Sequence, residues 1–223
     1  MKKLLSLVLA LGLCLGLAVP AAANNMASPG GMATVSMSNA FSFSAAIDEN
    51  GSLWMWGDNS YGQLGNGTLN GSNIPVKTKE DVAAVSCGGD HTAAVKTDGT
   101  LWTWGSNIYG QLGNGKETYD NNSNVPVKVM EDVAAVSCGS YFTAALKTDG
   151  SLWMWGMNSN GQIGNGKQYS GQYENNPQPV KVMEDVAAMS CGSGHVAAIK
   201  TDGSLWIWGS NRRGELGNGG AGN

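Results

Sequence analysis

The side chains of this chain that could do chemistry are few, and they recur. His91 and His195 each follow a cysteine by four residues, and Cys87, Cys138 and Cys191 sit in "VSCG" or "MSCG". Carboxylates come in pairs at Glu80-Asp81, Glu131-Asp132 and Glu184-Asp185, and "SNIYGQLGNG" at residues 106–115 is as glycine-rich as a phosphate-cradling loop. Taken singly, these would suggest a catalytic histidine, a reactive thiol or disulfide, a carboxylate pair of the glycosidase kind, and nucleotide binding. Each reading fails on repetition or setting. A catalytic pair is needed once, at a distinctive place, whereas these come once per repeat. The histidine slot holds Phe142 and Phe43 in other copies, which marks a packing position. The cysteine slot is filled three times at spacings of 51 and 53 residues, as a small buried hydrophobe would be. No C-x-x-C or H-x-x-x-H spacing offers a metal its ligands. The Gly-rich tail is followed by strand signals starting at Pro75, Pro126 and Pro179 rather than by a helix, so its glycines read as turn residues. No serine has a G-x-S-x-G setting. The sequence therefore predicts no enzyme, no cofactor and no metal site.

The elements that carry these residues are copies of one unit. "DGTLWTWGSNIYGQLGNG" at residues 98–115 returns as "NGSLWMWGDNSYGQLGNG" from Asn50, "DGSLWMWGMNSNGQIGNG" from Asp149 and "DGSLWIWGSNRRGELGNG" from Asp202. The first tryptophan of each copy is Trp54, Trp102, Trp153 or Trp206, at spacings of 48, 51 and 53 residues, which is the range of propellers and solenoids. Within a unit, "PVK", "DVAAVSC", "HTAAVK" and "TLWTW" are separated by connections too short for a helix and typical of antiparallel hairpins. Alternation puts Trp102 and Trp104 on one face of their strand and Leu101 and Thr103 on the other. Fourfold recurrence of that paired face predicts tryptophans packed between sheets rather than a ligand platform.

"LWTWGSNIYGQLGNG" together with "VAAVSCGGDHTAAVKTDG" resembles the repeat of the regulator of chromosome condensation family, and the likeness covers residues 33–219. The resemblance implies a β-propeller, typically seven-bladed, with four-stranded blades. This chain is accordingly expected to be all-β: four-stranded antiparallel blades, about four of them, in an open or incomplete ring. The units are drawn at 33–74, 75–125, 126–178 and 179–223. They hold 15 strands, with the first unit one strand short and no final "PVKV" strand to complete it. Open blade edges of this kind predict self-association.

The N-terminus reads as a secretory leader: Lys2 and Lys3, an apolar run from Leu4 to Val19, then Pro20 and three alanines, with cleavage near Ala23 and a short linker over 24–32. The run of 16 residues is shorter than a bilayer-spanning helix needs, so no membrane span is expected. Leader and repeat together read as a bacterial, secreted, extracytoplasmic protein. Without Lys2 and Lys3 the chain holds 11 basic and 17 acidic residues, net −6, the wrong sign for nucleic acid.

Variation between copies points to the binding surface. In a four-stranded meander the connections alternate between two faces, and the near-constant "MED" and "TDG" turns share one of them. The variable loops share the other, and all six tyrosines fall there. The candidate binding residues are Tyr61, Tyr109, Tyr119, Tyr141, Tyr169 and Tyr173, with Asp90, Arg212 and Arg213 in the same loops. Tyrosine is a favoured contact residue because it is amphipathic and loses little entropy on ordering. The sequence thus predicts a non-enzymatic module that binds a protein or a cell-surface partner. By family analogy the alternative is nucleotide exchange on a small GTPase. A carbohydrate-binding module using the Trp ladder is a third reading, which requires those rings to be exposed.

Overall fold

In the computed structural model, residues 32–37, 42–118, 121–167 and 175–221 are described. They form four antiparallel sheets built one after another along the chain. The first contains β1 (Met32–Met37), β2 (Phe43–Asp48), β3 (Leu53–Gly57) and β4 (Ser72–Lys79). The second contains β5 (Val82–Cys87), β6 (His91–Lys96), β7 (Leu101–Gly105) and β8 (Ser123–Met130). The third contains β9 (Val133–Cys138), β10 (Phe142–Lys147), β11 (Leu152–Gly156) and β12 (Asn176–Met183). The fourth contains β13 (Val186–Cys191), β14 (His195–Lys200) and β15 (Leu205–Gly209). Each strand pairs with its sequence neighbour, and the innermost strands β1, β5, β9 and β13 approach one another in turn. The architecture is that of propeller blades in an arc that does not close.

Sheets and sequence units are out of phase by one strand, which corrects the expected grouping. The strand carrying Pro75 is not the first of its blade. It lies outermost on the preceding sheet, where Trp54 opposes Lys77 and Met55 opposes Val76. The long Gly-rich loop folds the chain back on itself and so makes β3 and β4 a hairpin. The chain then crosses to the next sheet at the "ED" turns, where Asp81, Asp132 and Asp185 adopt φ of 58°, 59° and 58°. Asp tolerates this left-handed conformation better than most side chains. As a result the first sheet has four strands, and the three-stranded sheet is the last one.

The core lies between sheets. The first junction packs Phe43, Ala45, Ile47, Leu53, Met55 and Leu64 against Val82, Val85, Cys87, Ala94 and Trp104. The second repeats it with Ala93, Val95 and Leu101 against Val133, Cys138, Ala145 and Trp155, and the third with Phe142, Ala144, Leu146, Leu152, Met154 and Ile163 against Val186, Val196 and Ala198. Small alanines on the facing strands let neighbouring sheets approach closely.

The two tryptophans of each copy do different work, so the expectation that all eight are buried holds only in part. The second of each pair reaches back to the preceding sheet. Trp104, Trp155 and Trp208 donate their indole N–H to the carbonyls of Gln63, Gln111 and Gln162 at 2.8, 2.9 and 2.9 Å, and Trp104 and Trp155 are fully buried. The first of each pair stays at its own sheet's turn: Trp54 donates to Asp48, Trp102 to Thr100, Trp153 to Ser151 and Trp206 to Ser204. These rings are half-buried, and Trp206 is exposed.

Candidate interaction face

The Gly-rich loops that carry the variable positions are held by a repeated asparagine. Asn59, Asn107, Asn158 and Asn211 are buried, and each accepts through Oδ1 from the amide of Leu64, Leu112, Ile163 or Leu216. Asn107 also donates to Asn114 and to the carbonyl of Lys116. A second residue sets the tip. The side-chain oxygen of Gln63, Gln111 or Gln162 accepts the backbone N–H of Tyr61, Tyr109 or Asn160, and Glu215 does the same for Arg213. Constant residues thus make a pedestal, and the residue two positions before the Gln or Glu is presented on it.

These tips meet the β5–β6 and β9–β10 turns on the same side of the arc. The rings of Tyr109 and Tyr141 lie 5.1 Å apart at 54°, a tilted aromatic pair within the favourable range. Tyr141 is exposed, and Tyr61 and Tyr109 are half-buried. Burial pushes the Tyr141 hydroxyl above the usual tyrosine range, with Asp90, Tyr109 and Tyr61 adding to it. Burial also raises the Asp90 carboxyl, and the neighbouring Asp58 reinforces that. Asp58 itself is held below the usual range by hydrogen bonds from Ser60 and Gln63 that outweigh its desolvation.

The structure therefore brings Tyr61, Tyr109, Tyr141 and Asp90 into one electrostatically coupled patch. Arg212 and Arg213 are exposed at the last loop, with Arg212 reaching Asn160 at 3.4 Å. Tyr119, Tyr169 and Tyr173 lie outside the described residues. Asp58 was not singled out from the sequence. The signal existed, since Asp58, Ser106, Met157 and Ser210 differ in an otherwise constant W-G-x-N slot.

The opposite face is knitted by its own charges. Lys96, Lys147 and Lys200 lie 3.7, 3.6 and 3.9 Å from Asp81, Asp132 and Asp185, and Lys77, Lys128 and Lys181 pair with Glu80, Glu131 and Glu184. Shallow hollows occur there, beside Lys77, Asp81 and Lys96 and beside Lys181, Lys200 and Trp206. The first is walled mostly by charged side chains and the second by Lys181, Glu184 and Lys200 together with Val182, Met183 and Trp206, and paired surface charges of this kind are worth little to stability.

Of the residues that first suggested chemistry, His91, Cys87 and Cys138 are packed away. His91 is fully buried, with Nε2 2.9 Å from the Thr143 hydroxyl, and burial pushes its pKa down to about 3. Since the Thr143 hydroxyl donates to the Gln111 carbonyl, His91 donates from Nε2. Phe43 and Phe142 fill the same slot in their sheets. Burial pushes the thiols of Cys138 and Cys191 up to about 12, the reverse of what a nucleophilic thiolate needs.

Consecutive antiparallel sheets of three or four strands, each joined to the last by a Trp-to-carbonyl bond, define a blade-repeat protein of the propeller type. Residues 17–223 match the RCC1-like domain, and the chain belongs to that family. It is 34% identical over 187 residues to the Arabidopsis thaliana RCC1 domain-containing protein RUG3, mitochondrial, covering 78% of this chain and 41% of that protein. It is 33% identical over 181 residues to the Ultraviolet-B receptor UVR8 of Arabidopsis thaliana, covering 78% and 40%. Among solved structures, human WBSCR16 superposes with a TM-score of 0.74 at 28% identity over 88% of this chain and 52% of that one. Prp20p from Saccharomyces cerevisiae does so at 0.74 and 22% identity, over 86% and 48%, and carries the likeness of fold. This chain spans about half the length of these relatives.

Proposed function

We propose that this chain is a secreted, extracytoplasmic, non-enzymatic binding module whose variable-loop face engages a protein partner. The observation that carries the reading is the Tyr109–Tyr141 pair, set beside Tyr61 and Asp90 on pedestals of constant residues. Aromatic rings pre-ordered by the scaffold lose little freedom on binding, which is what an interface anchor requires. Export rests on the leader at residues 1–23, which lies outside the described residues. The structure of Prp20p was reported together with its binding to Gsp1p and histones, so protein recognition is at home on this fold. Of the other readings, a carbohydrate platform is disfavoured because Trp104 and Trp155 are buried and every first tryptophan is engaged at its own turn.

The test uses the chain as bait on the proteins of its own compartment. Tyr109→Ala and Tyr141→Ala should each weaken the captured partner by about 1–2 kcal/mol or more, while Lys96→Glu on the opposite face leaves capture unchanged. Loss of binding with Lys96→Glu and retention with both tyrosine variants would assign the function to the wrong face.

A further inference from the structure

The glutamine that sets a loop tip has an amide with two ends. Its Oε1 accepts a backbone N–H, from Tyr61 on Gln63 and from Tyr109 on Gln111, at 2.9 Å in each. That bond fixes which way the amide faces, since turning it over would set Nε2 against another donor. Nε2 therefore points away from the tip backbone in both loops, and the loops differ in what it meets there.

In the first loop Gln63 Nε2 donates to Asp58 Oδ2 at 2.7 Å, and the Ser60 hydroxyl donates to the other carboxylate oxygen at 2.6 Å. In the second loop Ser106 stands in the place of Asp58, and Ile108 in that of Ser60. Serine is shorter than aspartate by a carbon and an oxygen, and Ile108 brings no hydroxyl. Neither Ser106 Oγ nor Gln111 Nε2 has a hydrogen-bond partner among the described residues. Both side chains are sealed, at 1% and 0% exposure, and a buried donor left unmet forfeits all of its hydration. His91 Nδ1 also lacks a partner, but backbone closes it off: a Cβ on Gly88 would lie 2.3 Å from that nitrogen.

We propose that the second loop holds a buried water site, one water accepting from Gln111 Nε2 and sharing a second hydrogen bond with Ser106 Oγ, where the first loop puts the Asp58 carboxylate. The occupant follows from space and charge. The atoms by which serine falls short of aspartate leave room for about one water, and a water of this kind bridges polar groups that otherwise go unmet. An anion would be set beside Asp90, whose carbonyl takes the Ser106 N–H at 2.8 Å, and a cation is refused by the Nε2 protons. The variable W-G-x-N slot thus selects how a tip is held, through a carboxylate in the first loop and through a water in the second. Because the same amide carries the Tyr109 N–H, Ser106 is a positioning residue for the Tyr109–Tyr141 pair, whatever that face binds.

The experiment uses the purified chain labelled with nitrogen-15, with a crystal structure beside it. In the wild type, the Gln111 Nε2 protons should show a nuclear Overhauser effect to water with the sign of a long-lived bound molecule, and the crystal should place one water within hydrogen-bond reach of both Nε2 and Ser106 Oγ. Ser106→Asn sets a carbonyl where the water lay, so the effect should vanish while the Tyr109 amide shift and the urea midpoint hold. Ser106→Ala keeps the space but removes one tether, so the effect should weaken, the Tyr109 amide should shift and the midpoint should fall. Should the asparagine variant fail to fold, the wild-type crystal and the alanine variant decide alone. An empty site, a side chain of the chain itself filling it, or a direct bond between Ser106 and Gln111 overturns the proposal. So does a water effect that survives Ser106→Asn at full strength.

Discussion

The carbonyl oxygen of Gln111 accepts two hydrogen bonds from the next sheet, one from the Trp155 indole and one from the Thr143 hydroxyl, each at 2.9 Å. Both lone pairs of a loop carbonyl are thereby used, and the loop, which is neither strand nor helix, is fixed to the sheet that follows it. The pair concentrates the junction's polar contacts at one atom.

Trp155→Ala should therefore be among the most destabilising single changes, at about 3–5 kcal/mol, since it opens a cavity and removes one of the two donors to the Gln111 carbonyl. Trp206→Ala, at the exposed ring of the fourth sheet, should cost less than about 1 kcal/mol. Urea midpoints for the two variants test this, and equal shifts would show that the buried indole carries no special weight.

Gly113 and Gly217 occupy equivalent positions with φ of +72° and +63°. Alanine at either meets the left-handed penalty of roughly 1–2 kcal/mol. At Gly113 its Cβ would also sit 2.7 Å from Trp155 Nε1. Gly113→Ala should accordingly exceed Gly217→Ala by about 1–3 kcal/mol, the cost of overpacking a filled site. Thermal unfolding of the two variants, compared at one protein concentration, gives the difference.

His91 ties stability to pH in a direction set by its burial. Its folded pKa lies at about 3, below the ordinary value of 6.5, so the folded state excludes a proton that the unfolded state takes up. The neutral ring's contribution is fully present above pH 6.5 and is lost as the pH falls towards 3. Chemical denaturation at neutral pH and near pH 4 should show this loss, and His91→Phe should remove much of it, since phenylalanine fills the slot in two other sheets. An unchanged pH slope in the variant would place the titration elsewhere.

Asp90 works in the opposite sense. Its pKa is raised by burial and by Asp58, so the folded state favours the protonated acid and stability is lost as the pH rises through the acidic range. Asp90→Asn should make the chain slightly more stable at neutral pH, with the gain shrinking as the solution is acidified. The side chain is only half-buried, which keeps the effect small. A variant less stable than wild type at neutral pH would show that the carboxylate makes a favourable contact outweighing its repulsion.

Much of the fold was legible because repetition does the work of an alignment within one chain. The Trp-x-Trp spacing, the "TDG" turns and the histidine slot shared with phenylalanine all gave their structural meaning directly. The phase of the blade was not legible. Both groupings of "PVK" leave short connections, and only the pairing of Trp54 with Lys77 decides between them. The distinction between the two tryptophans was hidden too, since alternation places both on one face and says nothing of what lies opposite. For the candidate face, parity of the connections located Tyr61, Tyr109, Tyr141 and Asp90 on one side, and it survives the change of phase because both groupings alternate alike. It could not reveal that Asp58 reaches Asp90 from the preceding loop, a relation that depends on distance between sheets rather than on order along the chain.

The borrowed carbonyls also impose a direction in time. Each acceptor lies 41, 44 or 46 residues before the indole it receives. A ribosome adding about 5–20 residues per second therefore exposes every seat roughly 2–9 s before its occupant is made. A nascent sheet thus meets a finished neighbour as it emerges, and assembly can run with synthesis, one blade at a time, never waiting on a part still to be translated.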